Sequence, residues 1–538
     1  MKTKITIIRA VLTLVVGLFL YYFMLPPINL TSPLFWTFAL TIYIFFLLTG
    51  LIKLADFKNI ITGEKHAKEM SKSLVINTFV ILGIIILIIV INFFLSPLFN
   101  SKMYYNRIQI DENSNFTDDV EQIDFNKLPL LDKDSSQKLG DRVMGQMPEL
   151  VSQFDVSDLY TQINYNNSIV RVTPLEYNGL IKYFTNRKDG VKGYIMVNSV
   201  TGESSLIKLD KGMRYMPSAY FFENLYRKLR LSYPTEIFET ESFEVDNDGN
   251  PYWIIPTIKY IGVGIKKEIS GVIILDPITG NSKKYNKDNV PTWVDHVYSP
   301  DLVIEQVDDW GKYKNGFLNS IFGQKNVVQT TDGYNYTVMN DDVYLYTGIT
   351  SALADESNIG FILTNLRTKE TKFYSVAGAE EYSAIASAEG QVQQMRYKSS
   401  FPLLINLNNK PTYLMSLKDD GGLVKMYALV DVVDYQKVVV TEASEGIEKA
   451  FANYLGDSKL NIDSNSLIER NITINTISVA NIDGNSYYYI SDIDNNKYRA
   501  NIKVNDNVLP FLKNGDTVTI YYQKEDTVTQ ILDIKWYG

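Results

Sequence analysis

Three hydrophobic segments in the first 97 residues constrain this chain more than any other feature. They are Ile5–Leu25, Pro33–Ile52 and Ser73–Pro97. Each supplies about the 20 apolar residues that a helix needs to cross a hydrocarbon core about 30 Å thick. The segments therefore predict three transmembrane helices over residues 1–97. We expect an anchor rather than a transporter, because no charged residue lies near the middle of any segment.

A lysine-rich loop separates the second and third hydrophobic segments. Residues 53–72 carry five lysines against Asp56, Glu64 and Glu69, whereas the joint Pro26–Ser32 carries no charge. By the positive-inside rule, loop 53–72 and the basic N-terminus face the cytoplasm. The sequence therefore predicts a multi-pass protein of the cell membrane, with a cytoplasmic N-terminus and an extracellular C-terminal ectodomain.

The charge of the chain divides at the membrane. Residues 1–97 hold eight Lys or Arg and three Asp or Glu, a net of +5, so the remainder carries −14 and the whole chain −9. An acidic ectodomain lacks the basic face that nucleic acid requires. The same net charge argues against lying on anionic lipid. We therefore expect no nucleic-acid partner, and a membrane contact made through residues 5–25, 33–52 and 73–97.

The chain contains no cysteine. Its absence excludes disulfides, thiolate metal sites and cysteine nucleophiles. The part of the chain beyond Pro97 is long enough to bury hydrophobic cores without covalent cross-links.

The ectodomain begins with a polar stretch. Residues 98–131 include the solvated runs Asp111–Asn115 and Asp118–Asp119, which predict an extracytoplasmic tether. Ser135 or Ser136 is then suited to cap a helix. We expect the folded body to begin near residue 130.

Residues 132–456 contain an imperfect internal repeat of a strand, a hairpin and a second strand that ends in a polar turn. The first copy has Ile169–Val172 and Gly193–Val197, and the second has Tyr252–Ile255 and Gly271–Leu275. Two further copies follow, at Val343–Tyr346 with Gly360–Leu363 and at Thr412–Met415 with Met426–Val433. β-Branched and aromatic runs bounded by Gly, Asn and Asp predict strands. The repeat predicts small α+β modules in series.

The tail, residues 466–538, has five strand-like runs, with the short apolar turn Val508–Leu512 between the third and the fourth. This order is typical of an OB-like barrel, and a five-stranded sandwich would give nearly the same pattern. The predicted fold class is therefore an α+β ectodomain of tandem small modules with a C-terminal OB-like β-barrel, anchored by three N-terminal transmembrane helices.

One turn of the second copy resembles a known family. Asp276-Pro277-Ile278-Thr279-Gly280 is similar to the Asp-Pro-x-Thr-Gly turn of PepSY-type modules, and Asn198–Gly202 is a looser copy. The resemblance implies extracytoplasmic, non-catalytic modules that restrain peptidases or regulate activity near the cell surface. The whole chain also looks like membrane-anchored proteins of Gram-positive bacteria.

Histidine chemistry is nearly absent from the ectodomain. His66 lies in loop 53–72, which leaves His296 beside Asp295, with Asp276 and Ser299 nearby in sequence. A Ser-His-Asp arrangement would need this histidine as its base, yet no serine stands in a Gly-x-Ser-x-Gly elbow. The interpretation we favour is a structural or surface histidine, ahead of a metal ligand or a catalytic base.

Adjacent carboxylates occur at Asp308–Asp309, Glu380–Glu381 and Asp419–Asp420. A glycosidase needs two carboxylates about 5–10 Å apart across a sugar. Neighbours on a helix point about 100° apart, so each doublet is a poor catalytic pair. Glu381 and Glu389 could share a helical face, where solvated charge is the better interpretation.

Three other patterns have both a functional and a structural interpretation. Asp246–Asn250 begins like a calcium loop but no acidic residue closes it, so we expect a hairpin turn. Trp253, Trp293 and Trp310 could form a carbohydrate platform or, as we expect, core. Tyr487–Tyr489 could stack bases or alternate along a barrel strand. We therefore predict no catalytic, cofactor-binding or metal-binding residue, and no cofactor.

These features predict a membrane-anchored, extracytoplasmic binding, scaffold or regulatory protein of the cell envelope that is not an enzyme. The expected partner is another envelope protein or peptide, with a peptidase among the candidates, bound by strand addition at an exposed sheet edge. Two alternatives stay open. One is a hydrolase that acts on cell-wall glycan with carboxylates, and the other is a structural subunit of a larger envelope assembly.

Overall fold

The computed structural model describes residues 2–52, 64–122, 128–339, 342–352, 357–455, 468–482, 485–505, 507–522 and 527–537. It confirms an α+β protein. Within the described residues there are five sheets and twelve α-helices: α1 Lys2–Met24, α2 Pro33–Ile52, α3 Glu64–Phe94, α4 Pro97–Tyr105, α5 Phe116–Asp119, α6 Lys133–Gly145, α7 Pro148–Val151, α8 Gly179–Asn186, α9 Leu225–Ser232, α10 Pro300–Tyr313, α11 Glu381–Gln391 and α12 Ile447–Leu455.

In the part of the chain that the structure describes, two helices near the N-terminus, rather than three, are long and apolar enough to cross a membrane. They contain the stretches Ile7–Met24 and Val75–Phe94. The prediction of three transmembrane helices at 5–25, 33–52 and 73–97 is therefore wrong in its second member. The apolar stretch of α2, Pro33–Thr49, is shorter, and at 1.5 Å per residue it extends about 26 Å, less than the hydrocarbon core. Residues 53–63 of the predicted cytoplasmic loop lie outside the described residues.

Residues 98–131 are folded where the sequence predicts a tether. Within this stretch α4 follows α3 directly, and Tyr104 and Ile108 are buried. The strand β1, Ile110–Ser114, then pairs in parallel with β16, Thr371–Tyr374. The chain therefore packs onto the body within a few residues of α3, and the acidic runs lie on a strand and a short helix instead of a solvated linker. Residues 123–127 lie outside the described part.

Four of the five sheets share one strand arrangement. Two short strands pair with the same edge of a long strand, which then leads into an antiparallel meander. The first sheet has β2 Phe154–Val156, β3 Thr161–Tyr165, β4 Ser168–Tyr177, β5 Val191–Asn198 and β6 Ser204–Met213. The second has β7 Ile237–Phe238, β8 Ser242–Val245, β9 Pro251–Ile261, β10 Lys266–Leu275 and β11 Ser282–Tyr285.

The third and fourth sheets repeat this arrangement. The third has β12 Val328–Thr330, β13 Asn335–Met339, β14 Asp342–Ser351, β15 Ser357–Asn365 and β16, with β1 and β17 Gly378–Ala379 added at its margins. The fourth has β18 Lys398–Ser399, β19 Leu403–Leu407, β20 Lys410–Lys418, β21 Val424–Asp431 and β22 Val438–Glu442. The strand pairs marked by the sequence repeat fall on β4–β5, β9–β10, β14–β15 and β20–β21.

The second sheet is buried on both faces. In β9, Trp253 and Ile255 belong to a core shared with the first sheet. The alternate residues Ile254 and Ile258 belong to a second core, shared with α10 and the third sheet. Successive side chains of a strand point to opposite faces, so a hydrophobic run such as Trp253–Ile255 suits a strand with a core on each side. These three sheets lie in one compact unit, essentially Met1–Ala384.

A second compact unit holds most of the fourth sheet and the C-terminal sheet. The strands of the latter are β23 Ile468–Ile482, β24 Asn485–Asp492, β25 Lys497–Asn501, β26 Thr517–Tyr522, β27 Thr529–Gln530 and β28 Asp533–Trp536. Their order is β27-β25-β24-β23-β26-β28. Because β27 and β28 are consecutive in sequence yet lie at opposite edges, the sheet must curl towards closure. This half-barrel is compatible with the predicted OB-like domain at 466–538.

A buried arginine holds the segment after α4 against the second sheet and α10. Arg107 donates to Glu268 of β10 at 2.6 Å and to Glu305 of α10 at 2.8 Å, and it also contacts Asp309. Lys266 bonds to Glu305 at 2.9 Å. Burial alone would raise the pKa of Glu305, but the hydrogen bonds from Lys266 and Arg107 lower it below its usual range. Arg107 and Lys266 together therefore compensate the charge of three carboxylates, those of Glu268, Glu305 and Asp309.

The variant Arg107→Met tests whether Arg107 stabilises the packing of the segment after α4 against the second sheet and α10. Removing one partner of a buried ion-pair network leaves uncompensated charge, so we expect the free energy of unfolding of the detergent-solubilised chain to fall by about 3 kcal/mol. Chemical denaturation measures the change. The matched control is Lys314→Met, which removes the exposed ion pair with Glu112 and should cost less than about 1 kcal/mol. Equal effects of the two variants would contradict the role given to Arg107.

Candidate ligand-binding cleft

A polar cleft of about 400 Å³ opens where two hairpins of the first and second sheets meet the segment that precedes α10. Four asparagines supply most of its polar surface, and an aromatic ring and a carboxylate complete it. The lining residues are Asn164, Asn166, Asn167, Asn247, Thr292, Trp293 and Asp295. All of them belong to the compact unit that contains the first three sheets.

The β3–β4 hairpin supplies one wall of the cleft. Its loop is the dipeptide Asn166-Asn167, and both residues have positive φ, 51° and 61°. Positive φ at both central positions defines the type I′ turn, whose twist matches two-residue hairpins and which asparagine tolerates well. The turn thereby holds two exposed amide side chains at the rim, and the Asn166 amide reaches the carbonyl of Asn247 at 3.5 Å.

The β8–β9 loop supplies the opposite rim through Asn247. The carboxylate of Asp246 accepts the backbone N–H groups of Asp248 at 3.0 Å and Asn250 at 2.9 Å. It also accepts the Asn250 side-chain amide. The carboxylate that would begin a calcium loop is therefore used to close the turn. In the described part of the chain, no group of three or more His, Cys, Asp or Glu could hold a metal ion.

A buried carboxylate fixes the third wall, residues 292–296. Glu244 of β8 is fully buried. It accepts the N–H of Asp295 at 2.8 Å and that of His296 at 3.1 Å, and the hydroxyl of Ser242 at 2.8 Å. Three donors therefore compensate the buried carboxylate. This arrangement holds an irregular segment in one conformation beside the sheet.

Asp295 and Trp293 are the two distinctive groups of this wall. One carboxylate oxygen of Asp295 accepts the backbone N–H of Asn164 at 2.8 Å, which joins the wall to β3. The Trp293 ring lies 5.0 Å from the ring of Tyr252, at an angle of 37°. Tyr252 thus supports one side of the indole while Trp293 lines the cleft.

A buried cationic group lies behind the cleft on the same face of β3 and β4. Gln162 and Arg171 are cross-strand partners, two residues from Asn164 along β3. Both are buried, and in the described residues the Gln162 side-chain N–H₂ and the Arg171 Nε have no hydrogen-bond partner. Burial lowers the pKa of Arg171. His296 donates from Nε2 to the Gln162 carbonyl at 2.7 Å, which connects this cluster to the third wall.

The structure does not assemble a catalytic triad at His296. Its Nε2 is used on a backbone carbonyl, and its ring packs edge-on against Tyr336 at 5.9 Å. Asp276 closes its own turn by accepting the N–H of Ile278 at 2.8 Å and the hydroxyl of Thr279 at 2.5 Å. Ser299 is the N-cap of α10. Of the four residues considered for histidine chemistry, only Asp295 lines the cleft.

The paired carboxylates have separate structural partners. Asp308 accepts the N–H and hydroxyl of Thr330 while its neighbour Asp309 contacts Arg107. Glu381 is buried and accepts from Tyr346 and Asn358, and this burial raises its pKa. Glu389 pairs with Lys398 and accepts the Ser399 N–H. Asp419 accepts the Leu423 N–H.

The aromatic candidates divide between core and cleft. Trp253 and Trp310 are buried in the two cores, as expected. Trp293 is partly buried against the second core and also lines the cleft. Tyr487 donates to the Ser444 carbonyl at 3.0 Å and Tyr488 is a core residue of the half-barrel.

Comparison with known proteins finds no protein-family model and no curated protein that matches this chain. The cleft is therefore interpreted from its own residues. Sequence reasoning considered Asp295, Trp293 and the Asp246–Asn250 loop singly, and missed the asparagines of the β3–β4 hairpin. The available signal was the Asn166-Asn167 dipeptide between two strand-like runs, which is a hairpin-turn pattern.

The variant Glu244→Gln tests how the third wall is held. The carboxylate of Glu244 now accepts the backbone N–H groups of Asp295 and His296. The glutamine side chain replaces one acceptor oxygen by a donor N–H₂, so we expect faster hydrogen exchange at these two backbone groups. We also expect a loss of about 1–3 kcal/mol in the free energy of unfolding. Exchange measured by mass spectrometry on peptides that span 292–298 checks this. The control Glu241→Gln makes the same change at the partner of the Tyr226 hydroxyl and should leave that peptide unchanged.

Proposed function

We propose that this protein is a membrane-anchored, extracytoplasmic binding protein of the cell envelope, and that its cleft binds a glycan segment. Support for the anchor comes from α1 and α3, the two helices long and apolar enough to cross a membrane. Lys65, Lys68 and Lys72 precede the apolar stretch of α3 and the body follows it. By the positive-inside rule these lysines favour the cytoplasm, so we place the body on the extracytoplasmic side. The body holds the ends of both α1, at Leu25, and α3, at Asn92, so the segment between these helices returns to the cytoplasmic side.

The observation that carries the glycan proposal is the composition of the cleft. Side-chain amides offer both donors and acceptors, as sugar hydroxyls do, and four asparagines line this one cleft. Trp293, supported by Tyr252, adds an aromatic surface for the apolar face of a sugar ring. A few convergent polar groups beside an aromatic surface are characteristic of small-ligand sites.

The cleft and the membrane end of the body lie at opposite ends of β9. Asn247 precedes this strand, which has 11 residues and therefore spans about 33 Å. Beyond its far end, Val263 exchanges two hydrogen bonds with Asn92 of α3, at 2.9 and 3.0 Å. The N–H of Gly264 donates to the Thr31 carbonyl at 3.1 Å. The strand thus separates the cleft from the contacts with α3 by about 30 Å, and a cleft remote from the proposed anchor suits a ligand of the cell wall better than a lipid.

The chemistry of the cleft supports binding over hydrolysis. Asp295 is the one carboxylate among its lining residues, whereas glycoside hydrolysis generally uses two facing carboxylates. The hydrolase and the structural-subunit alternatives stay predictions that no contact of the cleft favours.

A second candidate function, peptide binding by strand addition, has support from one edge strand. β6 is ten residues long and ends the first sheet, and its first eight residues are partly or fully exposed. An exposed edge offers unpaired backbone donors and acceptors to an extended peptide. The partner would be an envelope protein or peptide, a peptidase included, as the PepSY resemblance implies.

Cysteine labelling in intact cells tests the anchor and its orientation. The native chain has no cysteine, so single variants report one position each. We expect a membrane-impermeant thiol reagent to label Asp248→Cys in intact cells. Lys65→Cys should react only after permeabilisation. The reverse pattern would invert the topology, and labelling of both in intact cells would exclude a membrane between them.

Trp293→Ala tests glycan binding. Loss of the aromatic surface should weaken retention of the full-length chain on purified cell-wall glycan about tenfold, a change typical of one aromatic contact. The control is Trp536→Ala, which removes a half-exposed tryptophan from outside the cleft. Equal retention of both variants and the parent would contradict the proposal. Release of reducing ends that disappears in Asp295→Asn would favour the hydrolase instead.

A further inference from the structure

The body carries an apolar surface beside the end of α1. Its most exposed members are Ile181, 78% accessible, and Phe222, 65% accessible. Leu180 and Phe184 of α8 and Phe221 add to it. We call these five residues the apolar lobe. Single exposed hydrophobic side chains are ordinary on soluble proteins, but a cluster of large ones marks an interaction surface.

Ring contacts connect the apolar lobe to α1. The rings of Phe184 and Phe221 lie 5.9 Å apart, and Phe222 meets Tyr22 of α1 edge-on at 6.1 Å. The side chains of Phe19 and Phe23, on the same helix, are more than half exposed. The exposed apolar side chains of α1 therefore meet those of the body at the contact between Tyr22 and Phe222.

Arg227 and Arg230 hold the end of α1 against the body. The Arg227 guanidinium lies 3.9 Å from the centre of the Tyr22 ring and also donates to the Tyr22 carbonyl at 3.4 Å. Arg230 donates to the Leu25 carbonyl at 2.9 Å and to the Glu236 carbonyl at 2.6 Å. The helix end and the lobe are thus held together, so the depth of α1 in a bilayer sets the depth of the lobe.

The charge around the lobe is opposite to that of the ectodomain. Residues 179–188 and 224–231 together contain six Lys or Arg and no Asp or Glu. Nearby Glu223 is buried, where it accepts from Tyr183 at 2.6 Å and contacts Arg214. Two acidic residues adjoin these segments: Glu223 pairs with Arg187 and Arg214, and Asp189 pairs with Lys192. The six basic residues outnumber them, and charges farther away than about 10 Å are largely screened at physiological salt.

A second exposed apolar cluster lies near the end of α3. Leu318, Ile321 and Phe322 follow α10, and Phe322 is 82% accessible. At the end of α10, just before them, the Tyr313 ring meets the Tyr104 ring of α4 edge-on at 5.9 Å. α4 begins at Pro97, next to the exposed residues Phe94 and Phe99. Each of the two helices able to cross a membrane thus has an exposed apolar cluster of the body near its end.

We infer that the apolar lobe inserts into the outer interface of the bilayer that α1 crosses, and that Lys182, Arg187 and Lys188 contact anionic lipid headgroups. The inference rests on the anchor proposed above. The occupant is lipid because the surface is continuous with that of α1, and because apolar side chains flanked by Lys and Arg are typical of interfacial helices. The body is thereby held in one orientation on the membrane instead of swinging on its anchors.

Spin-label accessibility in vesicles tests this inference on the full-length chain. Single variants Ile181→Cys, Phe222→Cys, Phe19→Cys and Asp248→Cys are labelled with a nitroxide and reconstituted in phosphatidylcholine–phosphatidylglycerol vesicles. We expect the ratio of oxygen to nickel-chelate accessibility at 181 and 222 to be several-fold higher than at 248, and to approach that at 19. Replacing phosphatidylglycerol by phosphatidylcholine should lower the ratio at 181 and leave 19 unchanged.

The Phe19 label separates failure of the lobe from failure of the anchor. A high ratio of oxygen to nickel-chelate accessibility at 19, with a low ratio at 181 and 222, would show that the lobe does not insert although α1 does. A low ratio at 19 overturns the anchor itself. Labels at 181 and 222 that are shielded from both reagents identify a protein contact between copies of the chain, which also overturns the lipid assignment.

Discussion

Burial of the second sheet on both faces is the constraint on which the rest of the larger compact unit depends. β9 sends Trp253 and Ile255 into one core and Ile254 and Ile258 into the other. A strand with two apolar faces is stable only when both are covered, so the first sheet must pack on one side and α10 with the third sheet on the other. Arg107 then joins the segment after α4 to β10 and α10 through Glu268, Glu305 and Asp309.

The cleft is a consequence of this layering. Hairpin turns and connecting segments must leave the sheets at the ends of strands, where polar residues satisfy the backbone. Here two such turns and residues 292–296 come together, and the buried Glu244 fixes the last of them with three donors. Within the described residues, the buried Nε of Arg171 has no hydrogen-bond partner. A buried cation behind a polar cleft favours ligands with an acceptor group at that end.

Local patterns in the sequence predicted local structure well. The strand pairs of the repeat fall on β4–β5, β9–β10, β14–β15 and β20–β21, although α6 is capped by Asp132 and not by Ser135 or Ser136. The cleft could not be predicted, because Asn164 and Asp295 meet across 131 residues of sequence. The tether was expected because residues 98–131 are polar, yet Tyr104 and Ile108 supply enough apolar surface to hold the stretch on the body. Hydrophobicity also predicted a crossing at 33–52, whereas the apolar stretch described in α2, Pro33–Thr49, is shorter than the hydrocarbon core.

Net charge misleads when charge is distributed unevenly. An ectodomain with a net charge of −14 suggests repulsion from anionic lipid, and that reasoning treats the surface as uniform. Arg227 and Arg230 instead contact the end of α1, while Asp246 and Asp248 precede β9 beside the cleft. In the proposed orientation, an anionic bilayer would attract the end of the body that holds α1 and repel the end that holds the cleft.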